Sequence, residues 1–298
     1  MQKAVSNYFS HFSDNSLSAI YILMSMVGFV FNDTFTKLSS EEAGVFQVIF
    51  VRGIMLSAGL AVAVWRQKQP LNIFTFSNRA LWVRAAAEIG LSFAFITALF
   101  NMPFANVVSI MQAAPLVLTL ALAMTGKERV GWRRYLAIGI GFVGVLIIVR
   151  PGTAGFNTYS LLALAAVLLL VTREMITQEI PDNIPSLFIV YLMTTISTIV
   201  YGILTFVNGW DVIGTQTVGY LFGATIFVFI GFFFSVLAMR VGEASFSAPF
   251  RYSVLVMAII IGIIVFNDYP DRYTLLGAVI IAAAGIYSLY RERVNRSK

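Results

Sequence analysis

The chain has 298 residues, 59% of them hydrophobic and 11% charged, with a mean hydropathy of +0.85. A water-soluble domain carries about 25% charged residues, so the composition argues against a soluble enzyme, a secreted scaffold or a nucleic-acid binder and makes lipid the solvent. With no cysteine and one histidine, His11, the chain has no disulfide framework, no thiol nucleophile and no His/Cys metal cluster.

In chain order, ten apolar runs approach the ~20 residues that a membrane-crossing helix needs: about 17–38, 45–65, 79–101, 105–124, 132–149, 158–178, 185–207, 216–239, 244–266 and 273–290. The short connections are rich in helix breakers, as in Gly126-Lys127-Glu128-Arg129, Arg150-Pro151-Gly152, Ile180-Pro181-Asp182-Asn183, Asn208-Gly209-Trp210-Asp211 and Asp268-Tyr269-Pro270-Asp271. Residues 1–16 lack a basic region and a small-residue cleavage site, so the first run reads as a retained helix. The expected organisation is an N-terminal segment 1–16, two five-helix units over 17–150 and 151–290, and a basic tail 291–298.

The net charge of +6 follows topology. With the N-terminus inside, cytoplasmic segments carry thirteen Lys and Arg residues, among them Lys3, Lys68, Arg129 and Lys298, against Lys37, Arg150 and Arg272 on the other side. The positive-inside rule then places both termini in the cytoplasm. Partners are a small-molecule substrate and the bilayer, with no nucleic acid, and the chain is expected as a monomer or homodimer.

The two halves align at an offset near 139. Phe93 and Phe95 fall on Phe232 and Phe234, Ala105 on Ala244, Gln112 on Arg251, and the glycine-rich fifth run (Gly139, Gly141, Gly144) over the tenth (Gly277, Gly285). Five spans per half force the second half to enter from the opposite side, giving the inverted repeat of secondary transporters, with a substrate site near the midplane. The expected fold is an all-α membrane protein of ten helices arranged 5+5.

Gly126-Lys127-Glu128-Arg129 before a glycine-rich span, Ala248-Pro249-Phe250-Arg251-Tyr252-Ser253, and Phe266-Asn267-Asp268 before Gly277 to Gly285 resemble the drug/metabolite transporter superfamily in its ten-helix EamA-type branch. Asn267-Asp268 stands where that family usually has an acidic residue after the ninth span. The resemblance covers roughly 17–290. It implies export of small metabolites, often amino acids, and within the branch the chain is most similar to aromatic amino-acid exporters.

Charges inside a span cost some 2.5–3.5 kcal/mol at a helix centre and so face a cavity or a partner. Arg84 and Glu88 stand one turn apart on the third span, either as a self-neutralising pair or with Glu88 reaching a central cavity. Asp33, beside Asn32, is expected to pair with Arg52 as a latch near one face. Arg173 and Glu174 are expected to form its counterpart with Arg251 near the other. Static helix glue is the competing reading for each. Asn101, Asn106, Ser109 and Gln112 can line a cavity or join helices. Phe95, Phe234 and Tyr252, with Tyr21, Trp82, Phe93 and Phe232, are candidates for an aromatic box, although 26 Phe and 12 Tyr guarantee many lipid-facing rings. Pro115 and Pro249 mark breaks in spans four and nine, and the glycines of spans five and ten suit close scaffold packing.

No metalloprotease HExxH, membrane histidine or GxGD pair supports an enzyme, and no GxxxxGK[ST] supports direct ATP use. No cofactor is implied. A channel or a non-transporting scaffold is the alternative to a carrier.

Overall fold

The computed structural model describes residues 13–66, 78–128, 130–153, 156–181, 184–241 and 244–296. Among them every regular element is helical. The sequence assignments to Lys3, His11, Lys68, Arg129, Asp182, Asn183 and Lys298 fall outside the described residues.

Ten helices are long and apolar enough to cross a membrane. In order, and numbered here as spans one to ten, they are Asp14–Glu41, Val45–Arg66, Arg79–Asn101, Phe104–Met124, Trp132–Val149, Tyr159–Thr177, Ser186–Asn208, Thr215–Val241, Ala248–Phe266 and Arg272–Glu292. Local chemistry sets their ends. The Ser13 hydroxyl accepts from the Ser16 amide at 3.3 Å and starts span one, and the Asn78 side chain accepts from the Ala80 amide at 2.9 Å and starts span three. Span nine stops at Asn267, whose left-handed φ of 55° lets the Asp268 amide close back on the Gly262 carbonyl at 2.8 Å. Asn tolerates that conformation better than most side chains. The last helix runs to Arg296, so the expected tail begins as a helical extension, in a stretch with neither Gly nor Pro to end it.

Two spans are broken. Span four is helical over Phe104–Met111 and again over Ala114–Met124. Span nine is preceded by a short helix, Ala244–Ser247, and opens as a 3₁₀ turn, Ala248–Tyr252, before Ser253–Phe266. Pro115 and Pro249 lack the N–H that would bond to the carbonyl four residues earlier, which leaves these stretches to reorganise.

Packing follows the repeat. Span one lies along span eight and span three along span six, while spans two and seven, four and nine, and five and ten pair with each other. Exchanging the halves turns the one–eight pair into the six–three pair and returns the other three to themselves, as an inverting two-fold demands. The connections after even-numbered spans and both termini share one end of the bundle, the terminal end; the other connections make the far end. Large apolar side chains such as Leu136, Ile140, Ile203, Phe206, Ile264 and Val279 are exposed along the spans.

Small residues set the closest approaches. Ser18, Ser25 and Gly28 line one face of span one, and the two serines donate to the Ala238 and Gly231 carbonyls at 2.8 Å each. A Cβ on Gly28 would lie 2.6 Å from the Gly231 nitrogen, and one on Gly144 would lie 3.0 Å from the Gly277 carbonyl oxygen. Replacing Gly28 by Leu must therefore separate spans one and eight. The overpacking penalty is expected at about 3 kcal/mol or more, read as a lowered melting temperature in detergent. Gly139→Ala, where a Cβ meets nothing within 4 Å, should leave that temperature unchanged or raise it slightly.

Candidate functional site

Gln112 and Arg251 occupy equivalent positions in the two repeats, and they touch: the Gln112 side-chain amide donates to the Arg251 carbonyl at 3.3 Å. A residue meets its own repeat equivalent only at the pseudo-two-fold, which for an inverted repeat lies in the membrane plane. This contact therefore marks mid-depth, and both breaks, in spans four and nine, flank it. The Arg251 side chain is exposed there. Among the described residues it makes no ion pair within 4 Å, although Glu174 attracts it from span six. A guanidinium at this depth must face a polar space and not lipid.

Beside it, spans three and six hold four charges. Glu88 lies 3.9 Å from Arg84 on its own helix and 3.4 Å from Arg173 across the repeat boundary, and Arg173 reaches Glu174 at 2.7 Å. The buried Arg84 donates through Nε to Thr177 Oγ1 at 2.9 Å. Two guanidinium groups thus share Glu88. Of the expected grouping of Arg173 and Glu174 with Arg251, the Arg173–Glu174 contact and the attraction of Glu174 for Arg251 are present, and Glu88 joins them because spans three and six pack together. The Arg84–Glu88 pair is part of a network and does not stand alone.

Asp33 and Arg52 attract each other as expected, but Asn32 stands between them. Arg52 donates to Asn32 Oδ1 at 2.7 Å, and the Asn32 amide donates on to Asp33 Oδ1 at 2.8 Å. Asn32, buried between spans one and two, occupies the place closest to the guanidinium. This chain stays within the first repeat, so it cannot latch one repeat to the other.

That role at the far end falls to other groups. Lys37 lies 3.9 Å from Asp268 and donates to the Met102 carbonyl, while Asp268 accepts from the Phe104 amide at 3.2 Å. Gln47 and Asp211 exchange hydrogen bonds of 2.9 and 3.0 Å. Glu42 accepts from the Gly214 amide at 2.8 Å and the Thr217 hydroxyl at 2.6 Å, and Arg150 pairs with Asp271. All but the Lys37–Met102 bond join the first repeat to the second. At the terminal end the ties are the exposed Lys127–Glu179 pair at 2.9 Å and the Arg134–Glu292 pair at 3.3 Å. None of the far-end partners carries a short-range sequence signal, and Lys37 and Asp268 stand out only as charges at a helix end.

The aromatic candidates divide between the interior and the outside of the bundle. Tyr21 and Tyr252 belong to the central apolar cluster, with Phe95 and Phe234 packed against it. The Tyr21 and Phe234 rings lie 5.8 Å apart. Tyr252 is wedged against Gly285 of span ten, and its buried hydroxyl has no partner among the described residues. Phe93 stacks on Phe46 and Phe232 meets Phe29 edge-on, both half-exposed on the outside of the bundle. Trp82 is exposed. Asn101 sits exposed at the far end, bonded to its own helix at Thr97, and Asn106 accepts from Thr274 of span ten at 3.0 Å. Asn106 thus joins spans four and ten, whereas the Asn101 side chain stays on its own helix, and Ser109 is fully buried.

The model of the EamA-like transporter family matches residues 16–150 and 157–290, one copy per repeat. The chain belongs to this family. An S-adenosylmethionine uptake transporter of Rickettsia prowazekii (strain Madrid E) is 26% identical over 284 residues, 93% of this chain and 94% of its own. A riboflavin transporter of Vibrio cholerae serotype O1 (strain ATCC 39315 / El Tor Inaba N16961) is 28% identical over 197 residues, 65% of each chain. A crystal structure covering 91% of this chain and 98% of its own superposes with a TM-score of 0.63 at 15% identity, a likeness of fold alone. This EamA-like protein is therefore a multi-pass membrane transporter and not an enzyme. The relatives include no amino-acid exporter, and export as a direction gains no support from them.

Two expectations follow for this EamA-like transporter. Asn32→Ala deprives the Arg52 guanidinium of its nearest acceptor, worth about 1.5–3 kcal/mol for a bond to a charged group, whereas Asp33→Asn leaves that bond in place. Thermal melting should rank Asn32→Ala well below Asp33→Asn. At the far end, burial would raise the Asp271 carboxyl, but hydrogen bonds from Arg150 and Thr274 outweigh it and hold it down to about 2. Hydrogen bonds from Thr217 and Gly214 likewise hold Glu42 below the usual carboxylate range. A depressed folded-state pKa stabilises above the unfolded value and is lost as pH falls through the folded one. The stability gap between wild type and Asp271→Asn should therefore be constant from about pH 8 to 5 and close as pH approaches about 2.

Proposed function

We propose that this transporter carries a small zwitterionic metabolite bearing an aromatic or heteroaromatic ring across a bacterial inner membrane by alternating access. The observation that carries the reading is Arg251, an exposed guanidinium without an ion-pair partner among the described residues, at mid-depth between a neutralised carboxylate cluster and a group of aromatic rings. A substrate carboxylate engages Arg251, its ammonium approaches Glu88 and Glu174, and its ring lies toward Tyr21, Phe95, Phe234 and Tyr252. An aromatic amino acid meets this description. So does S-adenosylmethionine, the substrate named for one relative, which joins an amino-acid head to an adenine ring. Riboflavin has the ring without the head.

In this reading the far-end seam and the Glu88–Arg173 bridge are the two latches, opened alternately as the repeats rock about the axis at Gln112 and Arg251. The direction of net transport is set by the substrate gradient and its coupling, so import and export are both open to one mechanism. The terminal end, with most of the Lys and Arg residues, is the cytoplasmic one.

Counterflow in proteoliposomes tests the substrate. Saturable exchange of labelled S-adenosylmethionine or of phenylalanine and tyrosine is expected. Arg251→Gln should raise KM about 10- to 100-fold, the cost of one charge-assisted bond. Riboflavin exchange that is indifferent to Arg251→Gln would overturn the proposal. The cysteine-free chain allows topology to be read directly. Thr153→Cys in intact cells should react with an impermeant maleimide and Lys127→Cys should not; the reverse pattern inverts the orientation.

A further inference from the structure

At the terminal end, away from mid-depth, the start of span five and the end of span ten enclose a recess of about 170 Å³ lined by Gly131, Trp132, Arg133, Arg134 and Arg291. Span five begins here with Gly131 as its cap and no side chain bonded to its first amides, so the positive end of a helix opens on the recess. Arg134 is buried, 3% exposed, and its Nη atoms are held by Glu128 at 2.5 Å and Glu292 at 3.3 Å. Among the described residues its Nε and that of Arg291, both buried, have no acceptor. Three guanidinium groups thus face two carboxylates, leaving a net positive charge and unmet donors around an opening of phosphate size.

The surroundings indicate what brings the phosphate. Trp132 is exposed, with the Arg133 guanidinium 5.4 Å from its ring, as at a membrane interface. Below it Leu136, Ile140 and Val143 of span five and Ile286 and Tyr290 of span ten are exposed along the bundle, offering apolar surface to acyl chains. We propose that the recess binds the phosphate of an anionic lipid headgroup, with the acyl chains laid along spans five and ten. The site is separate from Arg251 and independent of the substrate.

Native mass spectrometry of the delipidated protein, with dioleoylphosphatidylglycerol, dioleoylphosphatidylcholine or inorganic phosphate added, tests this. One phosphatidylglycerol retained per chain is expected, in preference to phosphatidylcholine. Retention should fall about fivefold in R133Q or R291Q and about thirtyfold in the double variant, at about fivefold for each guanidinium near the surface. Counterflow should be unaltered in all three. Equal retention by wild type and variants, or equal retention of the two lipids, overturns the site. Stabilisation of the wild type by inorganic phosphate with no phosphatidylglycerol retained overturns the lipid as its source. If the double variant does not purify, the single variants carry the test.

Discussion

Hydrocarbon offers a polar group no partner, so every hydrogen-bonding side chain inside the bilayer must be answered by the protein itself. In a chain with only 11% charged residues, that constraint decides where helices meet. Arg52 is answered by Asn32, Arg84 by Thr177 and Glu88, and Arg173 by Glu88 and Glu174. Hydroxyls are treated alike, those of Ser18 and Ser25 crossing to carbonyls of span eight and those of Thr34 and Thr36 folding back on their own helix. At mid-depth Arg251 is left exposed without an ion-pair partner among the described residues, which is why the proposed function gives it to the substrate.

The helix pairing turns this chemistry into a machine with two sides. Spans one with eight and three with six bind a helix of one repeat to a helix of the other, and the Glu88–Arg173 bridge lies in the second of these seams. At the far end the seam is dense, built from Lys37, Glu42, Gln47 and Arg150 against Asp268, Gly214, Thr217, Asp211 and Asp271. Spans five and ten, locked by Gly144 against Gly277, lie to one side as support.

Span number, repeat offset and the breaks at Pro115 and Pro249 were legible because they rest on hydropathy, periodicity and backbone chemistry, all of which are local. Residue type also marked the intramembrane charges, since so few exist. Their partners were not legible. Arg173 lies 85 residues from Glu88, and nothing near either one favours that pairing over Arg251 until span three is laid along span six. Asn32 was hidden for a different reason: beside an aspartate it reads as the lesser group, yet its amide both accepts and donates and so fits between a cation and an anion. For Asn101 and Asn106 the choice between lining a cavity and joining helices stayed open, because helix position alone does not reveal which neighbour a side chain faces.

The meeting of Gln112 with Arg251 has an evolutionary and energetic corollary. Were the repeats identical, arginine would oppose arginine on the axis and the two access states would be mirror images of equal energy. A neutral amide on one side relieves that repulsion. In the proposed alternating-access cycle it also makes the two states inequivalent, so that their balance would lie in the divergence of the halves.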